Sequence, residues 1–312
     1  MEDYILAMKA RAYAAFDEVF DGVKCVKYVD FPDHRNVGDA AIAIGQLEYF
    51  RARSVKVESI HSLSTFDRRL LKSHTPVVIH GGGNIAGLYN GVDEHRNLFG
   101  KALMSETLLI QAPQSIHFAT EKARKDFFDH FLARERLRVA VRDSEAFSLV
   151  KHEGQKTYLA PDAVHLLGHI DSPSPSRRCV VLKRQDNESA VGDGQYASID
   201  WPKDRGMLAL TASIRWRSKY SGPVKPLFNL SSRRWQELAE KRFERGIRLL
   251  STGETVVTDR LHAMLVALQM GRNVIAVDNN NRKLTKYAET WFQDTVPNVQ
   301  FASSFEDAMK RV

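Results

Sequence analysis

Cysteine is almost missing: the 312 residues contain two, Cys25 and Cys179, far apart. That excludes a disulfide framework, and no Cys/His spacing suits zinc. Each cysteine sits in a Val-rich run, which predicts two inert core thiols in a reducing compartment. Long apolar runs are missing too, so no membrane span is expected. The start, Met1-Glu-Asp-Tyr, has neither the basic region nor the apolar core of a secretory signal, which predicts a cytoplasmic protein. Neither a G-x-G-x-x-G dinucleotide fingerprint nor a Gly-Lys-Ser/Thr phosphate loop occurs. RNA-binding and zinc-finger signatures are absent as well, and no nucleic-acid partner is expected.

What is present is an ordinary globular composition, 43% hydrophobic and 27% charged, with a net charge of +7. Such a surplus suits an anionic substrate, a nucleic acid or an anionic membrane surface equally well. The densest basic stretch, 233–248, is interleaved with Glu237, Glu240 and Glu244, as on a solvated helix face.

Short Val/Ile-rich runs alternate with amphipathic stretches. Strands are predicted at 23–29, 55–60, 76–80, 107–111 and 137–142, with helices at 39–53, 120–134 and 144–152. A Pro/Ser-rich connector at 171–176 follows, and then the rhythm restarts. Strands are predicted at 179–183, 255–258 and 273–277, and helices at 231–250 and 261–270. This alternation predicts an α/β fold of two Rossmann-like domains, 1–170 and 177–312, facing each other across a ligand cleft. Residues 189–220 show no period and are expected as a loop over that cleft.

Five segments place polar or glycine residues just after a predicted strand, where parallel α/β sheets bind ligands. In Asp33-His-Arg-Asn-Val-Gly-Asp39, Asp39 suits a helix cap; alternatively Asn36 and Asp39 bind sugar hydroxyls or take a proton. His80-Gly-Gly-Gly-Asn84 lets a ligand approach the backbone, with Gly82, Gly83 and Asn84 as contacts. Gln114 and His117, in the third segment, offer hydrogen bonds to a polyol. Arg142 ends a strand, where a guanidinium suits a phosphate or carboxylate, or an internal ion pair. Val257-Thr-Asp-Arg-Leu-His262 is the richest: Asp259 suits a cap, Arg260 and His262 flank Leu261, and a helix start adds free N–H groups.

In this order the segments resemble the polysaccharide pyruvyl transferase family. The matching pieces are Asn36-Val-Gly-Asp39 with Ala41-Ile42, Val78-Ile-His-Gly-Gly-Gly-Asn84, Gln114-Ser-Ile-His-Phe118, Val141-Arg-Asp-Ser144, Thr258-Asp-Arg-Leu-His-Ala263, and Asp278-Asn279 with Lys283. The resemblance covers roughly 28–290 and is closest to exopolysaccharide-type members. Residues 192–220 match nothing in it.

The resemblance implies a fold like that of the two-domain GT-B glycosyltransferases. It also implies phosphoenolpyruvate as donor substrate and a sugar diol of an exopolysaccharide precursor as acceptor, commonly the 4,6-hydroxyls of galactose or glucose. The product is a pyruvate ketal, and neither cofactor nor metal is implied. By that analogy Arg142 and Arg260 hold the donor, with Lys183, Arg184, Asp278 and Asn279 as further donor-side residues. His262 is the general acid and Asp39 the base, while Asn36, Gly82, Gly83, Asn84, Gln114 and His117 face the acceptor. If the acceptor is lipid-linked, the basic surface would sit peripherally on the inner membrane. Two rivals remain: a GT-B sugar-nucleotide glycosyltransferase, and a non-catalytic protein that binds an anionic glycan.

Overall fold

The computed structural model describes residues 2–85, 90–151, 156–184, 198–278, 282–293 and 297–312. Helix α1 (Glu2–Val19) leads into strand β1 (Cys25–Val29), helix α2 (Val37–Ala52), β2 (Lys56–Ile60), β3 (Val77–Ile79) and β4 (Gly82–Ile85). Helix α3 (Asn90–Ala102), β5 (Leu109–Ile116), α4 (Glu121–Phe127), β6 (Leu137–Val141), α5 (Ser144–Val150) and β7 (Lys156–Leu159) complete the first sheet and its helices. The second begins with β8 (Arg177–Leu182), followed by α6 (Leu210–Tyr220), α7 (Ser232–Leu250), β9 (Gly253–Thr258), α8 (Leu261–Gln269) and β10 (Asn273–Val277). It ends with α9 (Lys283–Trp291), β11 (Val299–Ala302) and α10 (Phe305–Lys310).

Consecutive Val/Ile runs make strands buried on both faces, and helices cover them. The first sheet has seven parallel strands in the order β2-β1-β3-β5-β6-β7, with β4 also on β5. The second has four, β11-β10-β9-β8, again parallel. These are two Rossmann-like α/β units. Residues 171–176 run mostly exposed between them. One hydrophobic core nevertheless continues from Val78 and Ile110 of the first sheet, through Ala40 and Ala41 of α2, to Met264 and Val256 of the second unit. Helix α2 is the shared wall, packed on both α7 and α8.

Several expectations need correction. The glycine run is partly strand: β3 ends at Ile79, β4 begins at Gly82, at φ +134°, and both pair with β5. Helix α2 starts at Val37 because Asn36, not Asp39, is its cap, accepting from the Gly38 N–H at 3.0 Å. The segment 198–220 is no loop where described: Ile199 bridges Leu182, and α6 follows. Arg242 leaves the solvated face of α7 and is buried against Asp204 at 2.9 Å. The cysteines are half-buried, and the Cys25 thiol donates to Glu58 at 3.1 Å. Burial and that carboxylate push its pKa up, so it stays protonated.

Candidate functional site

Because all strands in each sheet are parallel, their carboxyl ends gather the following loops at one edge, and here the two edges meet. Between them lies a cavity of about 440 Å³. Its first-sheet wall comes from the loop after β1 (His34, Arg35, Asn36, Asp39), from β4 (Gly83, Asn84) and from Arg142 after β6. Its second-sheet wall comes from Arg184 and Asp200 after β8, from Asp259 to His262 after β9, and from Lys283 at the start of α9. Five Arg or Lys and three Asp side chains line it, so the wall is cationic.

Arg142 is buried, and one of its anchors went unread in the sequence. Its Nε donates to Ser115 Oγ at 2.8 Å and its Nη1 to Asp162 Oδ2 at 2.5 Å. His262 Nε2 lies 3.2 Å from that same Oδ2 and 3.2 Å from Arg142 Nη1. Asp162 caps the short turn Ala163–Leu167 by accepting from the Val164 N–H at 3.0 Å. Burial alone would raise its carboxyl, but His262, Arg142 and the Val164 N–H outweigh burial and hold it well below the usual carboxylate range. Asp162 is therefore a fixed anion that orients a guanidinium and an imidazole together. The signal in the sequence was faint: Asp162 follows a four-residue strand with only half-covered side chains.

Two close approaches explain glycines in this wall. A Cβ on Gly38 would lie 2.4 Å from His262 Nδ1 and 2.7 Å from His262 Cβ, so α2 can meet α8 only without a side chain there. A Cβ on Gly83 would lie 2.7 Å from Arg142 Nη2, so β4 can run this close to the guanidinium only without a side chain there.

Arg260 donates from Nη2 to Asp200 Oδ1 at 2.5 Å, and Arg35 Nη2 lies 3.6 Å from the other oxygen of that carboxylate. Asp200 belongs to the segment that showed no period, and neither it nor Arg35 or Lys283 was picked out as a site residue. Arg260 itself occupies the cap position of α8, while Asp259 accepts from the Arg184 N–H at 2.9 Å instead of capping. Asp39 accepts from Asn36 Nδ2 at 2.8 Å, with His34 Nε2 at 3.6 Å. Burial acts to raise its carboxyl; His34, His262, His80 and Arg142 outweigh that and keep it ionised.

Other expected site residues stand elsewhere. Gln114 is fully buried behind the wall, donating to His80 O and to Asn84 Oδ1, both at 3.0 Å. Asn84 Oδ1 also accepts from the buried Arg96 at 2.8 Å. His117 is exposed and lies outside the cavity lining. Lys183 sends its ammonium 5.3 Å over the Phe305 ring. Asp278 accepts from the Leu284 and Thr285 N–H groups at 3.2 and 3.0 Å and so secures the start of α9. Gly82 is buried beside Asp39. Asn279 lies outside the described residues.

Comparison with known proteins bears on the family and the fold. The sequence profile of the polysaccharide pyruvyl transferase family matches residues 36–281. Pyruvyl transferase 1 of Schizosaccharomyces pombe is 27% identical over 299 residues, covering 89% of this chain and 72% of that protein. EpsO of Bacillus subtilis, provisionally named a pyruvyl transferase, is 25% identical over 295 residues, covering 90% of each. A crystal structure of a functionally uncharacterised Klebsiella pneumoniae protein shares the fold, with a TM-score of 0.64 at 18% identity, over 95% of this chain and 99% of that one. With the profile spanning most of its length and both sheets, the chain belongs to the polysaccharide pyruvyl transferase family.

Proposed function

We propose that this protein transfers the pyruvyl unit of phosphoenolpyruvate to two hydroxyls of one sugar in an exopolysaccharide precursor, forming a cyclic ketal. The observation that carries this reading is the meeting of Arg142, Arg260 and His262 in one cationic cavity. The donor bears a phosphate and a carboxylate, and guanidinium forks suit both. Arg260, with Arg184 and Lys283 beside it, forms the donor side from residues 177–312, and Arg142 reaches in from the acceptor half, 1–170. The donor competes with Asp200 for Arg260 as it enters. Asn36, Gly83 and Asn84 line the acceptor side.

His262 protonates the donor methylene carbon, and the electron pair of the C=C bond forms the new C–H bond. The adjacent carbon becomes electrophilic, and a sugar hydroxyl attacks it while Asp39 takes the hydroxyl proton. The C–O bond to phosphate then breaks and inorganic phosphate departs with the bonding pair. The second hydroxyl adds to the same carbon, losing its proton, and closes the ketal. Donor plus diol thus balance ketal plus phosphate. Acid–base help of about 100- to 10,000-fold leaves positioning across the cavity to supply the rest.

The test is phosphate release from phosphoenolpyruvate with a panel of synthetic and lipid-linked galactosides and glucosides. His262→Ala should cut turnover by about 100-fold or more with its melting curve intact. Arg260→Lys should raise the KM for the donor, because an ammonium cannot reproduce the planar fork. No release with any acceptor, together with thermal stabilisation by sugar nucleotides, would replace this reading with glycosyl transfer.

A further inference from the structure

Exposed large apolar side chains are concentrated in one place. Ten occur among the described residues, and six of them, Met207, Leu210, Trp216, Tyr220, Val224 and Leu227, fall between positions 207 and 227. Trp216, Tyr220 and Leu227 are 67%, 71% and 80% exposed. Helix α6 buries Thr211, Ile214 and Ser218 against the protein, so the four-residue step from Trp216 to Tyr220 runs along its opposite face. Their rings touch edge to face, 5.7 Å between centroids. The turn Gly222–Phe228 beyond α6 buries no side chain.

The charge of this segment has one sign. Residues 203–228 hold Lys203, Arg205, Arg215, Arg217, Lys219 and Lys225 against Asp204 alone. Asp204 turns inward, paired with Arg242 and Arg245, both at 2.9 Å. Five of these six basic residues are exposed, Lys225 is partly covered, and Arg215 lies 3.7 Å from the buried Asp33. Behind the segment lies a second cavity of about 770 Å³, lined by Arg68, Arg69, Arg215, Lys219 and Lys225 together with Asp67 and Glu94. Burial and the nearby Arg68 lower the Lys225 pKa, a strain that an anion would relieve.

We propose that α6 and the turn after it form a membrane-interface anchor, seating Trp216, Tyr220, Val224 and Leu227 among the headgroups of an anionic bilayer while the surrounding Arg and Lys meet lipid phosphates. Trp and Tyr favour that boundary, and basic side chains beside an apolar face are the pattern of helices that lie on a membrane. No helix among the described residues is long and apolar enough to cross one. A second copy is the poorer occupant, because a two-fold contact would press this single-signed surplus against itself. A nucleic acid would leave the exposed Val224 and Leu227 without a use.

The test needs neither donor nor acceptor, so its outcome is independent of the transfer chemistry. The intact protein is sedimented with vesicles of phosphatidylglycerol and phosphatidylcholine, and with phosphatidylcholine alone. Partitioning should be at least about ten-fold stronger on the anionic vesicles and fall with salt. Of the four tryptophans, Trp201 and Trp235 are buried and Trp291 is partly buried with its indole N–H bonded to Arg142 O, so Trp216 dominates the solvent-exposed fluorescence. That emission should shift to the blue on the vesicles and be quenched by brominated acyl chains. Lys219→Gln with Lys225→Gln should weaken partitioning roughly 25-fold, at roughly five-fold per basic residue. Trp216→Ser with Leu227→Ser should weaken it at least about ten-fold while the melting curve stays unchanged. Absence of partitioning, equal partitioning on neutral vesicles, or indifference to both double substitutions overturns the proposal. So does a concentration-dependent doubling of mass that itself shields Trp216.

Discussion

Replacing Asp162 by Asn changes one atom's chemistry at the most constrained point of the cavity wall. Both carboxylate oxygens face donors: Oδ2 accepts from Arg142 Nη1 at 2.5 Å and lies 3.2 Å from His262 Nε2, while Oδ1 accepts from the Val164 N–H at 3.0 Å. A carboxamide has one accepting and one donating end, so either orientation turns an NH2 group toward an N–H. The buried Arg142 guanidinium also loses its counter-charge. Breaking a buried pair from one side costs about 3–5 kcal/mol. At roughly 2–4 °C per kcal/mol for a protein somewhat smaller than this, the melting temperature should fall by roughly 10 °C. Because the same oxygen orients His262, turnover should fall by about 100-fold even at temperatures where the variant is fully folded. Thermal unfolding followed by circular dichroism, with phosphate release measured well below the transition, separates the two effects. A variant that melts within about 2 °C of the parent would refute the account of Asp162 as a buried anion tying Arg142 and His262 together.

Two further outcomes are expected. Gly38→Ala would place a methyl group 2.4 Å from His262 Nδ1, so α2 or His262 must shift; stability should drop by about 1–3 kcal/mol and turnover by about 100-fold, and unchanged kinetics would contradict the close approach of α2 to α8. Burial drives the His80 and His165 pKa values down to about 4, against about 6.5 when unfolded, so from about pH 6.5 down to about pH 4 the unfolded chain takes up protons that the native one refuses. Stability should therefore decline across that window by up to about 3 kcal/mol per histidine, and a urea midpoint that stays level over it would count against their neutral burial.

The elements that could be read in advance are those whose side chains carry the pattern themselves. Val77, Val78 and Ile79 are buried on both faces and read as a strand; Leu261 to Gln269 are nearly all covered and read as a helix. Arg142, Arg260 and His262 were visible because each follows such a strand, and parallel sheets put functional groups there. Asp162 was not, because β7 is short and half-covered and leaves no apolar run to mark its end. Asp200 was hidden for a different reason: it lies just ahead of α6, whose outward face carries Trp216 and Tyr220, so no single apolar stripe stands out. Gln114 and His117 misled because β5 runs past its predicted end at 111 to Ile116, and a polar residue inside a strand can serve another polar residue as well as a ligand. Gln114 does so, bracing His80 and Asn84 from behind.

Helix α2 has the last word on how the cavity works. It packs on α7 and α8 while carrying Asn36 and Asp39 at its own start, and the core runs through it without a break. The opposing faces of the pocket are thus welded rather than hinged at this seam. Their spacing is set when the chain folds, so the entropy of bringing the guanidinium and imidazole groups together is spent before any donor arrives.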